Sequence, residues 1–240
     1  MSSSPEGLAD RPATGDGRDR ALFLAGCGNV RHLGGLPVAG GGLTRPGVYW
    51  RADSLAHLVP AARARLLGAG IRTIVDLRSP GELAGAPSVW RDHPAVAYHA
   101  LPLLGDADLA RLLPHTDALR DGYAPLLAPA AGAVARIVAA LAAPGATPAA
   151  MHCLAGRDRA GFVAALLLAA VGVEAAAIVA DYAASPGASA AVMATTLDHL
   201  EREWGGAVAY LRAAGVTAAT LAALRARLVG AGDEATGGGG

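Results

Sequence analysis

The 240-residue chain carries 20 basic against 20 acidic residues, a formal net charge of zero, with 53% apolar and 17% charged content. Balanced charge removes any bulk electrostatic case for nucleic acid or an anionic membrane surface, and this length and apolar content predict one domain around one sizeable core. All the basic residues are arginine and none is lysine, which reads as coding bias rather than as a binding device.

Residues 1–20 are polar and lack the apolar run of a secretory signal, so they read as a disordered arm, and 233–240, ending in four glycines, read as a second tail. The domain is expected over 21–232. Within it Val48–Trp50 reads as a strand, Pro60–Leu67 as a helix stopping at Gly68 or Gly70, and Thr73–Leu77 and Val96–Leu101 as further strands. The stretch 103–129, with Asp106, Asp108, Arg111, His115, Asp117, Arg120, Asp121 and Tyr123 among leucines and prolines, reads either as a lid or as a solvated connection. Ala130–Ala142 is an apolar helix feeding a strand at Pro148–Met151, and a second apolar helix spans Phe162–Val171. Gly172 and Glu174 interrupt the apolar run Phe162–Ala180 after about ten residues, which fits a core helix, a turn and another helix better than a membrane span. Helices follow at Ala188–Trp204, at Ala207–Ala213 and after a Thr217 cap, with Leu221, Leu224 and Leu228 on one face. Strands alternating with helices predict an α/β fold, a central, mostly parallel sheet flanked by helices with a helical C-terminal part.

The most informative segment is His152–Gly161, HCLAGRDRAG. Cys153 and Arg159 frame a C-x5-R loop running from a strand into a helix, where backbone N–H groups can turn inward as an anion nest. A helix N-terminus and a neighbouring guanidinium favour the thiolate form of a cysteine, so Cys153 is the candidate nucleophile, attacking phosphorus to give a cysteinyl-phosphate. Arg159 offers a planar fork matched to two phosphoryl oxygens, and Gly156 lets the backbone come close. Leu154, Ala155, Gly156, Arg157 and Arg159 are the candidate substrate-binding residues. The histidines show no metal-ligand spacing and no C-x2-C or H-x3-H pattern exists, so neither a metal nor another cofactor is expected.

This segment resembles the HCxxGKDRTG signature of the bacterial and fungal tyrosine phosphatase family of the Y-phosphatase-3 type, within the protein tyrosine phosphatase superfamily. Asn29–Gly35 (NVRHLGG) resembles its NxRDLGG motif, and Val48–Leu58 (VYWRADSLAHL), Gly70–Glu82 (GIRTIVDLRSPGE), Asp181–Ser185 (DYAAS) and Trp204–Leu211 with Gly215 resemble further motifs in the family's order. The resemblance covers about Asn29 to Val229 and implies a tyrosine phosphatase-like fold and phosphomonoester hydrolysis. Three residues depart from the pattern: Arg157 replaces a lysine, His32 an aspartate, and Ala160 the serine or threonine whose hydroxyl steadies the thiolate as the phosphoenzyme breaks down.

The leaving oxygen needs a proton. The resemblance favours Asp158, inside the loop; an arrangement with an upstream loop would use Asp121 or Asp117, and Asp76 is a further candidate, although an aspartate ending a strand commonly pairs with an arginine, here Arg78 or Arg51. His152 reads as a buried histidine orienting the loop. The expected substrate is a phosphorylated protein, phosphotyrosine first, with dual-specificity or phosphoinositide hydrolysis suggested by the second basic residue, Arg157. A pseudophosphatase that binds phosphorylated partners without turnover is the alternative, kept open by Ala160 and His32; a rhodanese-like sulfurtransferase is another user of a loop cysteine. Two cysteines make no disulfide scaffold, so a reducing, cytoplasmic setting is expected. Cys27 reads as a small buried hydrophobe before a redox partner of Cys153.

Overall fold

The computed structural model describes residues 20–112 and 122–230. The expected tails, together with His115, Asp117, Arg120 and Asp121, lie outside them or at their edge, Arg20 alone of the first arm being described. In chain order the elements are β1 (Arg31–His32), β2 (Tyr49–Ala52), α1 (Pro60–Gly68), β3 (Thr73–Asp76), α2 (Pro80–Gly85), β4 (Ala97–Ala100), α3 (Asp106–Leu112), α4 (Ala124–Ala142), β5 (Ala149–His152), α5 (Asp158–Ala170), α6 (Ala175–Ala183), α7 (Ala190–Trp204), α8 (Ala207–Ala213) and α9 (Ala218–Leu228). The five strands lie in the order β1-β2-β5-β3-β4, all parallel except the antiparallel β1 edge. The expected α/β architecture with helices at the C-terminal end is the one observed.

Side chains alternating across the pleat divide the interior into two layers. Tyr49, Val75 and Met151 face the helical side, packed with Ile137, Val138, Phe162, Leu166 and Tyr210, whereas Trp50, Ile74 and Ala150 face the other side with Leu55, Leu66 and Trp90. Helix α4 starts six residues before the expected Ala130 because Pro125 sits in its first turn, where a missing N–H costs nothing, and Pro129 is accommodated inside it. It is apolar and long enough to cross a bilayer by length and composition, and its face of Leu127, Val134, Ile137, Val138 and Leu141 is buried in the core. Thr217 caps α9 as expected, its hydroxyl accepting from the Thr220 N–H.

Strand β5 lies between β2 and β3, so Ala52, Asp76 and His152 end side by side in register. The loop after β5 therefore opens at the carboxyl ends of the parallel strands, where open α/β sheets bind ligands.

Beneath that loop lies a buried ion cluster. Asp181 of α6, 2% exposed, takes Arg20 (2.7 Å) and Arg31 Nε (3.2 Å) on Oδ1 and Arg51 (3.0 Å) on Oδ2. Burial alone would raise the Asp181 pKa, and the three guanidinium groups overcome it and hold the carboxyl below its ordinary value. Burial and the neighbouring Arg51 lower Arg31 to about 10, still charged at neutral pH. A depressed carboxyl pKa contributes stability that is complete above the unfolded value and is lost as pH falls through it toward the folded value. Asp181→Asn is expected to destabilise the fold by roughly 3–5 kcal/mol, because it leaves buried cations uncompensated. Urea melts of the two proteins at pH 7 and at about pH 2.5, below the ordinary aspartate value, check this: the difference should shrink at the lower pH, and equal stability at pH 7 would contradict it.

Candidate active site

The loop from Cys153 to Arg157 leaves β5 and enters the N-terminus of α5, whose first residue is Asp158. Its carbonyl groups are tied outward. Asn29 Nδ2 donates to the Ala155 carbonyl (3.0 Å), and Arg51 NH2 donates to those of Gly156 (2.8 Å) and Arg157 (3.2 Å). The N–H groups of Ala155, Gly156 and Arg157 find no acceptor among the described residues. With the carbonyls fixed outside and a helix N-terminus behind, the concave side is an anion-binding nest. Gly156 has φ +67°, and a Cβ there would lie 2.5 Å from the Ala52 carbonyl carbon and the Asp53 nitrogen, so the loop is pressed against the end of β2.

The supports belong to segments far apart in sequence. Arg31 NH1 donates to Asn29 Oδ1 (2.6 Å), and both Arg31 NH2 (2.9 Å) and Arg51 NH2 (3.0 Å) donate to Ser185 Oγ. Two arms thus run from Asp181 to the loop, one through Arg31 and Asn29 to Ala155, the other through Arg51 to Gly156 and Arg157.

A cavity of about 410 Å³ opens above the loop, lined by Cys153, Leu154, Ala155, Asp158 and Arg159 with Glu82, Asp106, Leu109 and Ala110. Cys153 lies at its foot, 2% exposed. The Arg159 guanidinium is held by Glu82 of α2 through two parallel contacts, NH1 to Oε2 (2.5 Å) and NH2 to Oε1 (2.8 Å). Glu82 also accepts from the Ser79 N–H (2.7 Å) while Ser79 Oγ accepts from the Glu82 N–H, a capping box that fixes α2. Burial opposes both charges, and the mutual pairing prevails: the Glu82 carboxyl is lowered and Arg159 is raised, the latter also by Cys153. Sequence reasoning placed Glu82 only within a motif. The signal was available in Ser79-Pro80-x-Glu82, a helix start with an acid at its third position.

Five of the candidate residues, Cys153, Leu154, Ala155, Asp158 and Arg159, line the cavity. Gly156 and Arg157 stand behind it. Arg157 turns its side chain away, NH1 donating to the Gly187 carbonyl (3.0 Å) and Nε lying 3.3 Å from both Asp158 oxygens. Asp158 Oδ1 accepts from Tyr123 OH at 2.6 Å.

Asp76 is not among the residues that line the cavity. It is fully buried, chelated by Arg78 (Nε to Oδ1 2.9 Å, NH2 to Oδ2 2.7 Å), accepts from Tyr98 OH (2.9 Å) and lies 3.3 Å from His152 Nε2. Burial would raise its pKa, but the His152 and Arg78 contacts hold it well below the carboxylate range. Its arginine partner is Arg78, whereas Arg51 serves Asp181. His152 is equally buried, its Nδ1 facing the Leu55 N–H (3.5 Å) and the Cys153 carbonyl (3.2 Å), which links the loop to the end of β2. Cys27 is half-buried and donates to the Ser54 carbonyl (3.5 Å); burial and the adjacent Asp53 carboxylate push its thiol up to about 12, which makes it a poor thiolate. His32 packs edge-on against Trp50 (5.2 Å), and its Nδ1 accepts from the Gly34 N–H (3.0 Å), a turn contact.

The chain matches the family model described as "Tyrosine phosphatase family" over residues 22–230. It is 34% identical to the triple specificity protein phosphatase PtpB of Mycobacterium tuberculosis over 191 residues, covering 66% of this chain and 67% of that protein. A protein of Cupriavidus necator named "Putative tyrosine-protein phosphatase" is 36% identical over 166 residues, covering 64% and 59%. A tyrosine-protein phosphatase of Nostoc commune is 31% identical over 140 residues, covering 57% and 48%. The chain thus matches between about half and two thirds of the length of each relative. With the match running from the first strand through the anion loop to the last helix, the chain belongs to the tyrosine phosphatase family.

Proposed function

We propose that this protein is a protein-tyrosine phosphatase that hydrolyses phosphomonoesters through a cysteinyl-phosphate on Cys153. The observation that carries the reading is the convergence of the Cys153 thiol, the inward N–H groups and the Glu82-held Arg159 on one cavity. The phosphoryl group sits in the nest with its oxygens on the N–H groups and the Arg159 fork. The Cys153 thiolate attacks phosphorus, the bond from phosphorus to the leaving oxygen breaks, and that oxygen takes the released electron pair together with a proton from Asp158. Water then attacks phosphorus while Asp158 takes its proton, and the S–P bond breaks with its electron pair going to sulfur, giving inorganic phosphate and restoring the Cys153 thiolate.

The walls favour phosphotyrosine among the substrate classes. Leu109, Ala110 and Leu154, the last 61% exposed at the rim, are apolar partners for a phenyl ring. Arg157, the residue that suggested additional phosphates, is spent on Gly187 and Asp158. The relative named a triple specificity phosphatase supports a broader substrate range. Cys153 and Arg159, retained and joined in one site, support turnover over a pseudophosphatase role.

Cys153→Ser is expected to abolish hydrolysis of 4-nitrophenyl phosphate in the presence of a chelator while still binding vanadate, and Arg159→Lys to lose both rate and phosphate affinity because the bidentate fork is gone. Turnover by Cys153→Ser at the wild-type rate would refute the nucleophile. Asp158→Asn should lower kcat/KM for phenyl phosphate much more than for 4-nitrophenyl phosphate, whose leaving group needs no proton. Ala160 is fully buried and offers no hydroxyl. A missing hydrogen bond to a charged sulfur is worth about 1.5–3 kcal/mol, roughly tenfold to hundredfold in rate. Rapid mixing should therefore show a burst of 4-nitrophenol before the steady state, and Ala160→Thr should raise kcat and shrink that burst. No burst and no faster variant would show that phosphoenzyme breakdown is not limiting.

A further inference from the structure

Among the described acidic residues lining the cavity, Asp158 is the one bonded to a phenol. Its Oδ1 accepts from Tyr123 OH at 2.6 Å, and that hydroxyl lies 2.6 Å from Tyr182 OH. Among the described residues, Oδ2 has only the Arg157 Nε at 3.3 Å, shared with Oδ1. The two carboxyl oxygens are therefore unlike: one is engaged by a short bond on the buried side, the other is free to hold a proton.

Tyr123 itself has little freedom. It is fully buried just before α4, its ring stands edge-on to Phe162 (5.9 Å) and Tyr182 (6.0 Å), and its N–H donates to Thr196 Oγ1 (2.8 Å), which in turn donates to the Val192 carbonyl (2.7 Å). The preceding Gly122, at φ +55°, packs so closely on Thr196 that a Cβ would collide with it. Burial and the neighbouring Asp158 push the Tyr123 phenol far above its usual range, and burial raises Tyr182 as well, so both keep their protons and act as hydroxyl donors.

We propose that Tyr123, braced by Tyr182, is a positioning residue for Asp158: it pins Oδ1 and leaves Oδ2 as the oxygen that delivers the proton to the leaving group. This rests on Asp158 being the acid. A carboxyl free to rotate about its Cβ–Cγ bond would present either oxygen, protonated or not, at a variable angle. One fixed hydroxyl removes that freedom while adding no charge to the site. Arg157 reinforces the orientation from the solvent side, its head group anchored on Gly187.

Tyr123→Phe deletes the hydroxyl and keeps the ring that packs. It is expected to lower kcat/KM for phenyl phosphate on the order of tenfold to hundredfold, to leave kcat/KM for 4-nitrophenyl phosphate within about twofold, and to leave vanadate affinity unchanged because the anion loop is untouched. In an Asp158→Asn background the same change should add almost nothing, since the two residues act as one unit. Tyr182→Phe should give a smaller loss with the same dependence on leaving group, and it carries the test alone should Tyr123→Phe fail to fold. Equal losses on both substrates, a full additional loss on top of Asp158→Asn, or no loss at all would overturn the positioning role. If Asp158→Asn shows the leaving-group dependence and neither tyrosine variant does, the positioning role alone falls. If Asp158→Asn shows none, the acid assignment falls and takes the positioning role with it.

Discussion

Asp181 takes both its oxygens to guanidinium groups, and those groups run on to the carbonyl oxygens of the anion loop. The direction of these bonds decides what the loop can bind. A peptide plane whose carbonyl is held outward must point its N–H inward, so every donor from Asn29 and Arg51 into the loop's back becomes a donor available at its front. A buried ion cluster is costly, and well-packed apolar residues would often be as stable. They would leave the carbonyls of Ala155 and Gly156 without the donors that Asn29 and Arg51 supply. Arginine is suited to this position because its five N–H groups let one head group meet a carboxylate, a hydroxyl and two carbonyls at once.

The same pairing logic sorts the carboxylates around the site. Asp76 is matched by Arg78, Glu82 by Arg159, and Asp181 by three arginines, each at hydrogen-bonding distance and each carboxyl held below its ordinary pKa. These groups stay ionised and serve as fixed anions that aim cations. Asp158 is different in kind, since its short contact is with a neutral phenol and, among the described residues, the guanidinium paired with it, that of Arg157, is 3.3 Å away.

Much of this was legible in the sequence because the loop and its flanks are local. The C-x5-R spacing, the strand before it and the apolar helix after it fix the nest without knowledge of the rest of the chain. The parallel sheet followed from alternating elements, and the turn at Gly172 and Glu174 from two residues that break an apolar run; α5 ends at Ala170 and α6 begins at Ala175. The pairings were not legible, because a sequence lists charges and omits distances. Asp76 ends an apolar segment beside Arg72 and Arg78, whereas Asp181 interrupts one with no arginine close by in the sequence, and only the fold gives the first Arg78, two residues away, and the second Arg51, 130 residues away. Short elements escaped for another reason: β1 is two residues and α2 six, too short for either period to register, although the Ser79 to Glu82 capping box marked the latter.

The grip of Glu82 on Arg159 bears on how the site meets its substrate. Both terminal nitrogens contact Glu82, while the buried Nε finds no acceptor among the described residues. Each terminal nitrogen carries a second N–H besides the one given to Glu82. The guanidinium is thus fixed in its plane by one edge and keeps donors on its other edges, so a phosphoryl group can be clamped without breaking the carboxylate pair. Orientation is settled in the folding of α2, whose capping box uses the same Glu82 side chain. A lone arginine would have to give up rotamer freedom at each binding event, whereas this one meets the incoming charge already aligned, the condition under which fixed dipoles and cations stabilise a transition state most.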